Sequence, residues 1–481
     1  MSLLGIINNS AAALANTQTQ IGVVSNNIGN SNSPNFVARQ ANLIESNPAS
    51  GGTDQVQITR AVNTTLQQEL LQQSTLSSNQ TFTNNIYTQL EQLDGSASGT
   101  PSLTAATQGF TTAFQALEAD PGSVPSQQGV IQAGQTLAQT VQTIAGGVQA
   151  IFTQVGQQAE SDVNTLNTSL ATIASLNSQI AAAAGTGQST AALGDTLDAT
   201  IQTVANLVPI RVSFADNGTA QLTTPSGIDL VSGTTPSSFG FDSATDTIFA
   251  AGDPSEASLN GGFAGGQIGA EISTLDTSAA GVASQNPADA PLQKILVQLN
   301  GFADQFFAPT PPGPATAFQA AYNNATPTNP GELPADFFTI PNFGAAPSTD
   351  AFNFQVNPAL LNGTATVKQA SVPAVVSQLI ATNNNFAAGG VSTTNSTYTG
   401  ITEAIASNQT QRAQLAQTNQ QSSSAALTTT QATYQNATGV NVNTELTQLI
   451  VLQNTYGASA KVISVVQSLF TALEGAIPAT A

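Results

Sequence analysis

Any chemistry done by this 481-residue chain would have to come from carboxylates, because histidine and cysteine are both absent. That absence excludes histidine-dependent triads, cysteine nucleophiles and Cys/His zinc sites. Several pairs of acids are close enough in sequence to act together, among them the following three. Glu160 and Asp162 are two apart on a predicted helix, so they face different directions. Asp195 and Asp198 are three apart and share a helical face, as a general acid and base would need to do inside a pocket. Asp242 and Asp246 flank a turn that does not complete a calcium loop. Gly261, Gly262, Gly265 and Gly266 form a glycine-rich loop, but no Gly-Lys-Ser/Thr and no clear strand accompany it, so turn chemistry accounts for it. Each acid is expected to be solvated. No catalytic residue, metal site or cofactor is assigned, and the chain is expected not to be an enzyme.

The elements that carry these acids are far more regular than the acids themselves. From Val442 to Ile477 apolar residues recur every seven, at Val442, Leu449, Tyr456, Ile463, Phe470 and Ile477. A companion row runs through Leu452, Ser459, Val466 and Leu473. Together they give the alternating three-four spacing of a coiled-coil seam, on a helix about 54 Å long at ~1.5 Å per residue, with Pro478 as its stop. The other end repeats the pattern at Ile7, Leu14, Ile21 and Ile28, with Leu4 and Ala11 beside them. So narrow a stripe needs a partner. It is either the core face of an ordinary helical domain, or a surface by which the two ends pack on each other and on neighbouring copies.

Between the ends the texture changes twice. Phe36–Ile44 and Val56–Val62 are predicted to form a loose hairpin around Pro48 and Gly51-Gly52. Helices are predicted over 62–93, 103–117 and from about 125 to Gly185, the last with a seam through Val130, Leu137, Val141, Ile144, Val148, Ile151 and Val155. Its steps lengthen at Ala159 and Val163 before resuming at Leu166, which reads either as a locally unwound supercoil or as a bent helix. A helix at 190–207 meets Pro209, after which strands are predicted at 210–214, 220–224, 228–231, 239–249 and 352–356. Residues 95–101 form a Ser/Gly linker, and 309–347 holds nine prolines and is expected to be a surface loop pinned by Phe337, Phe338 and Phe343. The fold class is therefore mainly α with a β-rich insert. The expected domains are a discontinuous coiled-coil assembly domain (1–60 plus 436–481), a long-helix bundle (61–208 plus 359–435), and a β-rich outer domain (209–358) with a helix at 280–307.

Charge follows the same division. Of 27 acids and 7 bases, the residues 1–60 and 351–481 each carry balanced charges, so the whole net −20 lies in 61–350. Neutral ends can be brought together in many copies, whereas an acidic middle belongs in water. Charged residues make up only 7% of the chain, so solubility rests on Gln, Asn, Ser and Thr. With so few bases, nucleic acid is excluded as a partner. No membrane-length apolar run and no basic, apolar leader are read from the sequence, so neither membrane insertion nor a cleaved signal is expected.

The run Ser25-Asn26-Asn27-Ile28-Gly29-Asn30-Ser31-Asn32-Ser33-Pro34-Asn35-Phe36, behind an apolar helix, resembles the signature of bacterial flagellar axial proteins: rod, hook and hook-associated. Asn35 stands where that family usually has glycine. The stretch Gly439-Val440-Asn441-Val442-Asn443-Thr444-Glu445-Leu446, continuing to Tyr456, resembles the end of the family's hook–filament junction members. The resemblance implies a structural subunit joining hook to filament. It implies leaderless export through the flagellar type III channel and a place outside the cell. It also implies four partners: sister copies in a ring or helical lattice, hook protein, the filament-side junction protein, and an export chaperone on the C-terminal helix. The assembly interface would then comprise Ile7, Leu14, Ile21, Ile28, Asn26, Asn27, Asn30, Leu449, Tyr456, Ile463, Phe470 and Leu473. A flagellin, a filament-side junction protein, a surface adhesin and a carboxylate hydrolase are the alternatives.

Overall fold

The computed structural model describes residues 3–33, 36–44, 55–94, 102–252, 257–275, 290–307, 317–324, 332, 336–341 and 349–476. Pro34 and Asn35, the Pro48–Gly52 turn, the linker 95–101, the helical start at 280–289, most of 309–347 with Phe343, and Ile477 with Pro478 lie outside them. The fold is mainly α, with long helices at both ends and small antiparallel sheets between them. Two compact units are formed, and 209–358 is divided between them after Ser238.

The first unit comprises Met1–Leu76, Thr165–Ser238 and Ser424–Ala481. Its N-terminal helix, Leu3–Gly29, packs along the C-terminal helix, Val442–Ala476. A hairpin follows, Arg39–Ile44 paired with Gln55–Arg60, in a register that sets Arg39 opposite Arg60. A four-stranded antiparallel sheet covers 211–236 in sequence order. The buried amide of Asn177, on the helix Val124–Gly185, ties that sheet down. Its Nδ2 donates to the Ala220 and Gly233 carbonyls at 2.7 and 2.6 Å, and its Oδ1 accepts from the Ala220 N–H at 2.9 Å. Backbone groups at the sheet's edge are thereby paired rather than left dry.

The second unit comprises Ser77–Asn164 and Phe239–Ser423. Its core lies along the first half of Val124–Gly185, where Val130, Leu137, Val141, Ile144, Val148, Ile151, Val155 and Ala159 are all buried. The heptad shift at 159–163 is absorbed without interrupting that helix. The predicted strand at 239–249 is a hairpin, Phe239–Asp242 and Thr247–Ala250, because Asp246 turns the chain with φ of 52°.

Two expectations for this unit are corrected. Residues 352–356 are not one strand. Asp350–Asn353 forms a helical turn closed by Asn353 Nδ2 donating to the Thr349 carbonyl at 3.1 Å, and only Gln355–Val356 is extended. The described parts of 309–347 are core rather than surface, since Phe318, Tyr322, Phe337 and Phe338 are fully buried. The proline content gave no warning of this, because the aromatic residues between the prolines decide where the segment goes.

These rings surround Phe306. Its centroid lies 4.7 Å from Tyr398, 5.3 Å from Phe338 and Phe354, and 5.6 Å from Phe318. Edge-on and tilted contacts of this kind add to area burial. Phe306→Ala should cost ~3–5 kcal/mol in urea unfolding followed by circular dichroism, while Phe214→Ala, on the first unit's exposed strand, should stay within ~0.5 kcal/mol.

Candidate assembly interface

Each part of the asparagine-rich run has a local task. Asn30 folds back, its Nδ2 donating to the Asn26 carbonyl at 2.9 Å, and Ser31 Oγ donates to the Ile28 carbonyl at 2.9 Å. These bonds satisfy carbonyls that the end of the helix leaves open, which is why it stops at Gly29. The second motif divides two helices. Gly439 follows Tyr398–Thr438, and a Cβ there would come within 2.5 Å of the Gln435 carbonyl. Asn441 then caps the C-terminal helix, its Oδ1 accepting from the N–H groups of Asn443 and Thr444 at 3.1 and 3.3 Å.

Asn27 joins the two motifs. It is 1% exposed. Its Nδ2 donates to the Arg39 carbonyl at 2.9 Å and to Glu445 Oε1 at 3.0 Å, while its Oδ1 accepts from the Arg39 N–H at 3.0 Å. A single amide thus fixes the hairpin and the C-terminal helix against the N-terminal one. Leucine or serine could not replace it, since neither offers both donor and acceptor at that reach.

An ionic knot lies beside it. Arg39 Nη2 meets Asp195 Oδ2 at 2.9 Å, Arg60 Nε meets Asp195 Oδ1 at 2.8 Å, and Arg60 Nη2 binds Asp198. Gln67 Nε2 donates to Asp198 Oδ1 at 2.8 Å, and Arg39 Nη1 donates to Asn26 Oδ1 at 3.2 Å. Burial pulls the Arg60 guanidinium down, but Asp198 and Asp195 outweigh it and hold the group above its ordinary value. Burial raises the Asp198 carboxyl against the opposing pull of Arg60.

The expectation that every acid is solvated is therefore corrected. Asp195 and Asp198 do share a helical face, but two guanidinium groups occupy it. Asp162 is buried too. Glu160 is exposed and Asp242 is half-buried. Among the described residues, no group of three or more metal-ligating acids is formed.

Of the residues expected at an interface, Asn27 is buried, and Ile7, Leu14, Ile21, Ile28, Asn30, Leu449 and Ile463 are half-buried where the terminal helices meet. Asn26 is exposed, as are Tyr456 and Phe470 at the margin of the seam, and Leu473 falls in the helix's last turn. Sequence reading missed a second apolar row on the C-terminal helix. It starts at Val451 and, one heptad on, runs in three-four steps through Ala458, Val462, Val465, Leu469 and Ala472, and every member is exposed. Val451 is 58% exposed and Val465 54%. The same spacing rule would have found this row had it been applied one residue away from the first. A window within Tyr398–Ala472 is long and apolar enough to cross a membrane, by length and composition alone, and only 11% of that window is buried.

The architecture is that of a chain closed end to end by paired helices, with a conspicuous apolar face left over. Family models match two separate stretches: the helical domain of the flagellar hook-associated protein FlgK over residues 87–307, and the C-terminal domain of the flagellar basal body rod FlgEFG proteins over residues 431–475. Among curated proteins no relative matches. A solved structure, the flagellar hook junction protein FlgK from Burkholderia pseudomallei, is similar at 20% identity and a TM-score of 0.44. The superposition covers 57% of this chain and 47% of that one, so this chain spans less than half of that protein's length. Such a likeness is too loose to transfer geometry. Both matched models describe flagellar axial proteins. Over residues 87–307 the chain is similar to the hook-associated kind.

Asn27→Leu removes three hydrogen bonds while keeping the branched outline of the side chain, and should destabilise the first unit by ~2–4 kcal/mol. Amides of Val442–Ala476 should then exchange faster by hydrogen–deuterium exchange, while those of Leu103–Ala119 in the second unit keep their wild-type rates.

Proposed function

We propose that this chain is a structural subunit that joins hook to filament, leaves the cell through the flagellar export channel, and polymerises through its terminal helices. The observation that carries the reading is the exposed row Val451–Ala472, which lies ~100° round the helix from a seam already closed by the N-terminal helix. A helix with one apolar face covered and another exposed is a surface made for a further helix. Sister copies are its natural occupants in the assembled axis, and a cytoplasmic export chaperone covers it before assembly. Hook protein and the filament-side junction protein meet the lattice at its two ends. The assembly domain corresponds to 1–60 plus 436–481. The acidic middle, with 22 acids against 2 bases over 61–350, stays in the medium.

A protein–protein surface is favoured over a bilayer because Gln453, Asn454 and Lys461 break the apolar window at intervals that a helical partner tolerates and hydrocarbon does not. A hydrolase is disfavoured because the best-placed acid pair, Asp195 and Asp198, is occupied by arginine. A flagellin is disfavoured by the asparagine-rich run.

Val465→Asp tests the reading. The side chain is exposed in the single chain, so monomer stability should change by less than ~0.5 kcal/mol. In a motility assay and in hook–filament particles the variant should fail to assemble, because the charge would be buried without a partner. Wild-type swimming by Val465→Asp cells would overturn the proposal. Removing 442–481 should also abolish assembly, but it exposes the N-terminal seam as well, so the point substitution is the cleaner measurement.

A further inference from the structure

Two pairs of carboxyl groups in the second unit lie where ionising both members would leave charge without compensation. The first pair joins the helices Val124–Gly185 and Gly266–Leu275. Gln267 Nε2 donates to Asp162 Oδ2 at 2.6 Å and to Glu271 Oε1 at 3.2 Å, so one nitrogen touches both carboxyls. Gln158 Nε2 supports Asp162 Oδ1 at 3.1 Å. Glu271 is fully buried, and its Oε2 receives no hydrogen bond. From the neighbouring helix Thr64–Asp94, the neutral Asn79 donates to the Gly266 carbonyl at 3.0 Å. Asp162 is the charged group acting on Glu271. Burial first, and Asp162 second, push the Glu271 carboxyl up to about 9.

The second pair joins the end of Pro291–Asp304 to the start of Asp350–Asn353. Asn300 Oδ1 accepts from the Ala351 N–H at 2.9 Å and holds the two segments together. Asp304 Oδ1 is buried and receives no hydrogen bond. Asp350 is the charged group acting on Asp304, whose carboxyl is pushed up to about 7 by burial and then by Asp350.

We propose that the second unit is latched by two shared protons, one between Asp162 and Glu271 and one between Asp304 and Asp350, and that losing them as pH rises loosens Gly266–Leu275 and Asp350–Asn353. In each pair the protonated member donates to its partner, so one O–H satisfies both acids. Composition makes this visible. With no histidine and no cysteine, only the chain's own amino terminus titrates at its ordinary value between about pH 5 and 9. Any larger pH dependence in that window belongs to perturbed groups.

The folded state holds protons that the unfolded chain has released, so stability falls as pH rises. Between about pH 5 and 7 both latches contribute; between 7 and 9 only Glu271 does. The test is urea unfolding of the full chain from pH 5 to 9, with Glu271→Gln, Asp304→Asn and the control Asp242→Asn. The folding constant of the wild type should fall by up to about tenfold per pH unit for each proton retained. Glu271→Gln should flatten the profile above pH 7. Asp304→Asn should reduce the slope below pH 7, and Asp242→Asn should match wild type. A flat wild-type profile, or wild-type slopes in both latch variants, would overturn the proposal. Should a variant not fold, hydrogen exchange of the wild type decides. From pH 6 to 9, after correction for intrinsic rates, amides at 266–275 and 350–353 should lose more protection than those at 103–119. Equal loss would overturn it.

Discussion

The side-chain amide of Asn27 bonds in two directions at once, and the arrangement of the first unit depends on it. One partner is the Arg39 backbone, twelve residues away; the other is Glu445, 418 residues away. Packing of apolar stripes alone would leave the terminal helices free to slide by a turn, since leucine and isoleucine interdigitate nearly as well in neighbouring registers. A buried amide that needs both its donor and its acceptor satisfied removes that freedom. The apolar contact supplies most of the affinity between the ends, and the amide supplies the alignment.

The acids follow a similar logic. In a chain with few bases, an acid taken out of water has three ways to be tolerated: an arginine, an amide donor or a retained proton. Asp195 and Asp198 take the first and Asp162 takes the second. Glu271 and Asp304 take the third. Asp242, in water, is instead stabilised in its charged form by the Ala244 N–H and the Thr245 hydroxyl, and its carboxyl lies below the ordinary value. In these six acids, charge serves architecture.

Much of this was legible in the residues, and the failures have physical causes. Heptad spacing located the terminal helices and the core face of Val124–Gly185, because periodicity reports which side of a helix is dry whatever covers it. Turn residues located the hairpin after Arg39, and the strands predicted at 210–214 and 220–224 are paired as Arg211–Phe214 with Ala220–Thr223. The ionic knot was not legible. Arg39, Arg60 and Asp195 converge only once the hairpin's register and the position of Ala191–Leu207 are known, and spacing along the chain encodes neither. Glu445 was visible within its motif, but nothing local shows that it reaches Asn27. Phe318 and Tyr322 were hidden by the surrounding prolines, which describe the backbone and not the destination of the rings.

The long polar helix Tyr398–Thr438 closes its hydroxyls back onto its own carbonyls: Thr418 onto Gln414, Thr428 onto Ser424, Thr429 onto Ala425 and Thr433 onto Thr429. Neutral hydroxyl and amide groups thus replace the lattice of surface ion pairs on which many long helices rely. Dissolved electrolyte has little to weaken there, while shortening the screening length from about 30 Å at 0.01 M to about 8 Å at 0.15 M relieves repulsion among the acids of the middle segment. This helix is therefore indifferent to salinity, while the acidic segment gains from it.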